Sequence, residues 1–380
     1  DKNIQLGTST LKQRLDIMSR QKEKRQNEMK SYNEFMEYIK ENVTDYLPER
    51  FEEAEISIQQ VVKNNDVVLD GLSIRNPDSN LSPNIYLNPL YEQYQKGRNL
   101  DELVSGIADT YIENIAPLEE RAIQMPLDDM FDYEQVKDNI FPRLVNLERN
   151  QLGLKDVPYT KLGDLAVTYR VKVSGDSNTL SSLAITNALM EKYGVMTEQL
   201  HEQALENMER LLPAAFQSLD DIMTDIMAVE LSKNEGISME EAKDYIREMI
   251  PPNASQMYCL TNETKINGAT CIINESVQKM VADKVGGDYF IIPSSVHEVL
   301  ILPKSSNMSP QELESIVKGV NAAYVSPNEF LSDHVYQYDA KEHKLSFCTQ
   351  ERELKQNQLP KVNEQQEHSH EPIKHSGKSH

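Results

Sequence analysis

Apolar and polar residues alternate along some segments of the chain and recur at helical spacing along others. Every second residue from Leu165 to Val171 is apolar, which predicts a strand with one buried face. From Leu200 to Leu211 apolar residues return every three or four positions, which predicts an amphipathic helix. Because both patterns occur throughout residues 33–348, the predicted fold class is α+β, with mostly antiparallel sheets flanked by amphipathic helices.

Turn and capping residues set the bounds of these elements. Asn267-Gly268 is a strong hairpin dipeptide, and Ser238 and Ser309 each stand three residues before a Glu, as in a capping box. The predicted strands span residues 56–61, 67–72, 85–87, 165–171, 180–185, 257–260, 269–273, 288–292, 296–302, 335–338 and 345–348. The predicted helices span residues 35–43, 100–115, 133–151, 197–212, 219–231, 239–250, 275–285 and 310–320.

Shifts in composition divide the chain into four predicted parts. These parts are a basic helical extension (1–32), an N-terminal α+β domain (33–151), a C-terminal α+β domain (152–348) and a disordered tail (349–380). The central boundary depends on Gly153 and Pro158, which flank a change from a helical to a strand period. The tail has too few apolar residues to offset the entropy of ordering it.

The basic extension has two interpretations. Between Thr10 and Lys30, seven Lys and Arg residues accompany three acidic ones, and Leu11, Leu15 and Met18 recur at helical spacing. Such a segment binds an anionic surface or another helix in some proteins, whereas in most it is a solvated helix. We favour the solvated extension.

Charge and cysteine content restrict the class of protein. The 380 residues carry a formal net charge of −22, which repels nucleic acids and anionic lipids, so no general nucleic-acid binding is expected. Three cysteines, none in a Cys-x-x-Cys pair, favour neither a disulfide framework nor a structural zinc site. No apolar run is long enough for a membrane span, and no signal peptide is recognised, so a cytoplasmic location is expected.

Motifs of several enzyme classes are missing from the sequence. It contains no phosphate-binding Gly-x-x-x-x-Gly-Lys loop, no Gly-x-Gly-x-x-Gly after a strand and no Gly-x-Ser-x-Gly elbow. His201-Glu202 begins like a zinc-protease helix, but Leu205 stands where the second His is required, so His201 is interpreted as a surface residue. His297-Glu298 is placed in a strand, where neighbouring side chains point to opposite faces. No catalytic residue and no cofactor are predicted.

Two sets of residues remain as candidates for metal or redox chemistry. Asp221 and Asp225 share one face of a predicted helix, and with Asp220 and Glu230 they either hold Mg²⁺ or Mn²⁺ or form an acidic solvated face. Cys259 and Cys271 are predicted in strands that the Asn-Gly turn joins, as metal ligands, a redox pair or buried core thiols. Histidines of the tail are assigned no site, because a disordered segment fixes no coordination geometry.

Three motifs of this sequence resemble a known family. Residues 33–40 (NEFMEYIK), 163–169 (GDLAVTY) and 287–295 (GDYFIIPSS) make the chain similar to the bacterial domain-of-unknown-function family 5688. The resemblance covers about residues 33–347. It implies a bacterial cytoplasmic protein and brings no catalytic residues, because the family has no established activity.

Two functional hypotheses follow. The first is a non-enzymatic, protein-binding or regulatory module with an unknown protein partner, because helices and sheets are well specified while no motif concentrates chemistry. The alternative is an enzyme of an undescribed type that uses a divalent metal bound by carboxylates such as Asp221 and Asp225. A broad exposed apolar patch favours the first hypothesis. A cleft lined by several acids and a His favours the second.

Overall fold

Ten α-helices and thirteen antiparallel strands occupy the part of the chain that the structure, a computed structural model, describes. That part comprises residues 29–75, 84–115, 129–174, 180–249, 256–306 and 308–348. The predicted basic extension falls outside it except for residues 29–32, and the predicted disordered tail falls outside it completely. Within the described residues the predicted α+β class with antiparallel sheets is confirmed.

The helices follow the capping residues that the sequence places before them. The α-helices are α1 Tyr32–Asn42, α2 Asn88–Gln95, α3 Leu100–Thr110, α4 Tyr133–Val136, α5 Asn187–Tyr193, α6 Thr197–Leu211, α7 Leu219–Glu235, α8 Met239–Met249, α9 Glu275–Val285 and α10 Pro310–Tyr324. At Ser238 and Ser309 the predicted capping boxes are present, each Ser bonded to the Glu three residues later. None of the described helices combines the length and apolar character needed to cross a bilayer.

The strands form three sheets. The strands are β1 Glu55–Val62, β2 Val68–Arg75, β3 Asn84–Tyr86, β4 Ile140–Asn146, β5 Tyr159–Leu162, β6 Leu165–Ser174, β7 Ser181–Ala184, β8 Ala214–Ser218, β9 Tyr258–Asn262, β10 Tyr289–Pro293, β11 Val299–Pro303, β12 Tyr336–Asp339 and β13 Lys344–Phe347. Sheet A has the order β1-β2-β3, and sheet C has the order β13-β12-β10-β11-β9-β8. Sheet B has β6 at its centre, with β4 on one side and β5 and β7 on the other.

Two large groups of buried apolar side chains stabilise the fold. In the first, helices α1 and α3 cover sheet A, and Phe35, Ile39 and Leu72 are fully buried. In the second, sheets B and C enclose side chains such as Leu144 and Ile301, together with residues of α6 and α9. Each fully buried Phe, Leu or Ile contributes roughly 1.5–3 kcal/mol by leaving water.

The prediction of a helix over 133–151 is wrong beyond Val136, because β4 occupies Ile140–Asn146. Residues 136, 140 and 144 are four apart, and a spacing of four fits one face of a strand as well as one face of a helix. Pro142 is tolerated because, among the strands that the structure describes, β4 pairs with β6 alone. Backbone N–H groups two residues apart on a strand point the same way, and the N–H of Leu144 donates to Thr270 Oγ1 instead of to β6. An N–H at position 142 would likewise point away from β6, so proline there removes no hydrogen bond between the strands.

The prediction of a strand over 269–273 is also wrong, because Gly268–Ile273 is a 3₁₀ helix. Asn267 adopts a left-handed backbone conformation with φ 54°, and the chain then turns so that the N–H of Thr270 donates to the Asn267 carbonyl. A Cβ at Gly268 would lie 2.5 Å from the His297 carbonyl oxygen, so only glycine fits there. A short apolar run buried on all sides has no period that separates a strand from a helix.

The tip of the β1–β2 hairpin (residues 63–66) docks on the second group of elements. Asn65 donates through Nδ2 to the carbonyl oxygens of Pro327 and Phe330, at 2.7 and 2.8 Å. Its side-chain oxygen accepts from Asn150 Nδ2 at 2.8 Å, and its backbone N–H donates to Asn150 Oδ1 at 2.8 Å. The tip therefore links sheet A to the loop that follows β4 and to the segment between α10 and β12.

The residues beside Asn65 strengthen this docking. Asn64 donates to the carbonyl of Asn328 at 2.8 Å. The Asp66 carboxylate accepts from the backbone N–H groups of Leu152 and Gly153, at 2.8 and 3.0 Å. The division into two independently folding domains, 33–151 and 152–348, stays a prediction. It must be weighed against these bonds and against the pairing of β4 with β6 across it.

Candidate functional site

A cavity of about 650 Å³ opens between α6, β5, the start of α9 and the turn before β13. Its walls mix apolar side chains with charged ones of both signs. The ionisable side chains in the lining are Lys161, His201, Glu206, Glu209, Glu275, His343 and Lys344. Such a mixture suits a polar molecule carrying both donors and acceptors.

His201 is the wall residue with the most defined surroundings. Its Nδ1 lies 3.1 Å from the Tyr169 hydroxyl, which lies 2.5 Å from Thr160 Oγ1. Burial lowers the pKa of His201 and raises the pKa of Tyr169 to about 12, so both rings are neutral at pH 7. The interpretation of His201 as a surface residue needs correction, because α6 turns this half-buried ring towards β6.

The candidate metal residues lie apart from this cavity, in the first half of α7. The Asp221 carboxylate accepts from the Ser218 hydroxyl at 2.7 Å, which closes the first turn of the helix. Asp225 Oδ1 lies 2.7 Å from Lys243 Nζ on α8. Among the residues that the structure describes, no group of three or more His, Cys, Asp or Glu side chains is placed to hold a metal ion. The metal assignment stays a prediction.

The cysteines are free thiols. Cys259 lies in β9 as predicted, whereas Cys271 lies in the 3₁₀ helix, so the turn between them does not form a hairpin that joins them. Burial raises the pKa of the Cys259 thiol to about 11 and that of Cys271 to about 12. Both are therefore protonated thiols at neutral pH, which is the less nucleophilic form of a cysteine.

Helices α7 and α8 form a hairpin with a second kind of site, an exposed apolar surface. The two helices contact each other. Thr224 and Ala228 are the buried residues of α7, and Ala242 and Ile246 are those of α8. Opposite this contact, α7 carries a stripe of Ile222, Met223, Ile226 and Val229, here called the α7 stripe. Met223 is 51% exposed and Ile226 is 64% exposed.

The spacing of the α7 stripe is that of a helix-binding face. Its members stand at positions i, i+1, i+4 and i+7, which places them along one side of a helix. A helix that is apolar on two sides normally contacts a second element on each of them. On α8, Tyr245 and Met249 are exposed by 57% and 63%, so the apolar surface is not confined to one helix.

Acidic side chains surround this apolar surface. Residues 219–249 contain nine Asp and Glu against three Lys and Arg, a net charge of −6. Glu230 stands four residues after Ile226 and therefore lies beside it on the same side of α7. A partner that buries the stripe must bring positive charge to these carboxylates or pay a repulsion cost.

The sequence contained the signal for the α7 stripe, although only a helix over 219–231 was predicted from it. Apolar residues at 219, 222, 226 and 229 mark one side of that helix, and Ala228 and Leu231, together with Thr224, mark the other. Which of these two sides packs against the protein depends on α8. The sequence therefore predicted the helix and left its free side undetermined.

Comparison with known protein families gives a match over most of the chain. The model of a family described as "Family of unknown function (DUF5688)" matches residues 32–340, which is 309 of 380 residues. This match confirms the resemblance seen in the three sequence motifs. No curated protein matches the chain, and no solved structure matches it.

Proposed function

The chain belongs to the family of unknown function DUF5688, and from that premise we propose that it is a protein-binding module whose α7–α8 hairpin takes a helix of a partner protein. The observation that carries the proposal is the α7 stripe, in which Ile226 is 64% exposed between two other exposed apolar residues. Exposed apolar residues in such a row cost solubility unless a partner covers them.

Shape and charge both indicate the partner's chemistry. A stripe with helical spacing is matched by another helix, which packs its own apolar stripe along it. The net charge of −6 on residues 219–249 requires basic residues beside the partner's stripe. Two copies of this hairpin repel each other for the same reason. We therefore commit to an amphipathic helix with an apolar stripe and basic flanks.

The protein's proposed setting is the cytoplasm of a bacterium. Cys259, Cys271 and Cys348 are free thiols, which persist in a reducing compartment. The net charge of −22 favours a protein partner over a nucleic acid. The resemblance to a bacterial family supports the bacterial origin.

A pair of synthetic helical peptides tests the proposal on the full chain. Both peptides are about four heptads long with the same Leu and Ile stripe. One carries Lys beside the stripe and the other carries Glu. We expect fluorescence anisotropy to show binding of the Lys peptide and none of the Glu peptide. The Ile226→Asp variant should bind the Lys peptide roughly 5–30-fold more weakly, because about 1–2 kcal/mol of apolar burial is lost.

Ile316 supplies a matched control, because it is an isoleucine 51% exposed on a different helix, α10. The Ile316→Asp variant should bind the Lys peptide within about twofold of the wild type. Equal binding of both peptides, or equal loss in both variants, rejects the proposal. A third peptide covering residues 1–31 asks whether this chain's own basic segment is the occupant, and sedimentation analysis asks whether a second copy is.

The cavity beside His201 favours a second candidate, an enzyme that acts on a small polar molecule. The specific observation is the convergence of His201 and His343 with three Glu side chains on one cavity. A ligand-observed NMR screen of polar metabolites, run on the wild type and on a Leu205→Trp variant that fills the cavity, tests it. Hits that vanish in the variant and are chemically converted by the wild type support the enzyme. Hits insensitive to the variant, or none, oppose it.

A further inference from the structure

A second cavity, of about 320 Å³, lies between the tip of the β1–β2 hairpin and the face of sheet B that bears Arg143 and Arg170. The hairpin contributes Lys63 and Asn64, and sheet B contributes Arg143 and Arg170. His297 and Glu329 line the remaining side. His297 was predicted in a strand, but it lies before β11 begins at Val299 and belongs to this wall.

The two arginines point to the same side of sheet B because of the strand register. Arg143 of β4 pairs with Thr168 of β6, and Arg170 follows Thr168 by two positions. Residues two apart on a strand share a face, so Arg170 is the diagonal neighbour of Arg143. The opposite face of the same strands carries the buried apolar residues Leu144 and Val167.

These two guanidinium groups have no counter-ion within the part of the chain that the structure describes. The Nε of Arg143 is buried without a hydrogen-bond partner. Arg170 donates to Ser182, from Nε to the hydroxyl at 2.8 Å and from Nη2 to the carbonyl at 2.9 Å. Burial lowers the pKa of Arg143, and burial followed by repulsion from Arg143 lowers the pKa of Arg170 to about 10. Both groups remain charged at pH 7.

The remaining charged groups do not neutralise this pair. Lys63 donates from Nζ to the Tyr86 hydroxyl at 2.9 Å and so adds another positive charge. The carboxylate of Glu329 lies 4.0 Å from His297 Nε2, on the loop side of the cavity. Three permanent cations thus line a cavity with one carboxylate, in a chain whose net charge is −22. A local excess of this kind draws in an anion.

We propose that this cavity binds a small phosphate monoester that also carries a hydroxyl group. Two guanidinium groups match the charge and the several oxygens of a phosphate dianion, and the fork of an arginine bonds two oxygens at once. The hydroxyl is required because Asn64 Oδ1, an acceptor, is buried without a partner in the same cavity. The volume of about 320 Å³ admits a metabolite of a few carbon atoms and excludes a polynucleotide.

Glycerol phosphate is the probe, and thermal unfolding of the full chain is the measurement. A ligand that binds only the folded state raises the melting temperature as its concentration rises. We expect glycerol phosphate to raise it more than sodium chloride of equal ionic strength. Inorganic phosphate should raise it less, because it lacks the carbon chain and its hydroxyls. A larger effect of inorganic phosphate would assign the site to the free ion.

Substitutions of Arg143 test whether the rise in melting temperature comes from binding in this cavity. Arg143→Met should abolish the rise, while its ligand-free melting temperature stays equal to or above that of the wild type, because an uncompensated charge is removed. Arg143→Lys, which keeps the charge and loses the fork, should retain part of the rise. Arg98→Met, a surface control whose arginine bonds Gln93, should retain all of it. No rise above the chloride control in the wild type, or an equal rise in Arg143→Met, overturns the proposal.

Discussion

Asn65 at the tip of the β1–β2 hairpin offers a quantitative test of how the two groups of elements are joined. Its side chain makes three hydrogen bonds, to Asn150 and to the carbonyls of Pro327 and Phe330. Its backbone is left-handed, with φ 59° and ψ 34°. Asparagine accepts this conformation more readily than alanine does. The Asn65→Ala change therefore acts on both the contacts and the backbone.

The expected loss follows from these two contributions. Each hydrogen bond contributes roughly 0.5–1.5 kcal/mol net, and the left-handed backbone costs alanine about 1 kcal/mol more. Asn65→Ala should thus lower the free energy of unfolding by about 3–5 kcal/mol. Asn65→Gly removes the same side-chain bonds without the backbone cost, and should lower it by about 2–4 kcal/mol. The difference between the variants isolates the backbone contribution.

Urea unfolding followed by far-ultraviolet circular dichroism and tyrosine fluorescence measures these losses. The chain has 17 Tyr and no Trp, and its tyrosines lie in both buried groups, so fluorescence reports on both. Asn234→Ala, at an exposed position near the end of α7, is the control and should stay within about 0.5 kcal/mol of the wild type. A loss under about 1 kcal/mol in Asn65→Ala would refute the assignment of the tip as an energetic link.

Three further predictions follow from the site and the fold. Because burial lowers the pKa of His201 below its ordinary 6.5, the unfolded chain takes up a proton first as pH falls. The free energy of unfolding should therefore drop below pH 6.5, and His201→Gln should flatten that slope in denaturation curves. Asp221→Ala with Asp225→Ala should leave the melting temperature unresponsive to Mg²⁺ or Mn²⁺, as in the wild type; a metal-dependent rise in wild type alone would favour the enzyme. A protease cut within residues 152–160 should leave two fragments that co-elute, because β4 pairs with β6 across it; separation would support two independent domains.

Local patterns in the sequence predicted the elements whose partners are close by. The alternation from Leu165 to Val171 reappears as β6, and the boxes at Ser238 and Ser309 open α8 and α10. These features depend on side chains within a few residues of one another. Their prediction needs no knowledge of the tertiary structure.

Features that depend on distant residues escaped prediction for physical reasons. Ile140 and Leu144 fit either a strand or a helix, and only their pairing with β6 selects the strand. Arg143 reads as a polar residue within an apolar run, and its unpaired Nε becomes visible only once the hairpin tip closes the cavity. Likewise, α8 decides which side of α7 stays free.

The docking of the hairpin tip has a consequence for how the chain matures during its synthesis. Every member of the first buried group lies between Phe35 and Tyr111, so this group can pack as soon as that stretch has been made. The hairpin tip can dock only after Asn328 has been made, because Asn64 of the tip donates to the carbonyl of Asn328, 264 residues later. At roughly 5–20 residues per second, synthesis of those residues takes on the order of 13–53 s. A nascent chain stopped before residue 327 therefore carries a packed first group with an undocked tip, a state that a ribosome-bound proteolysis assay distinguishes from the finished protein.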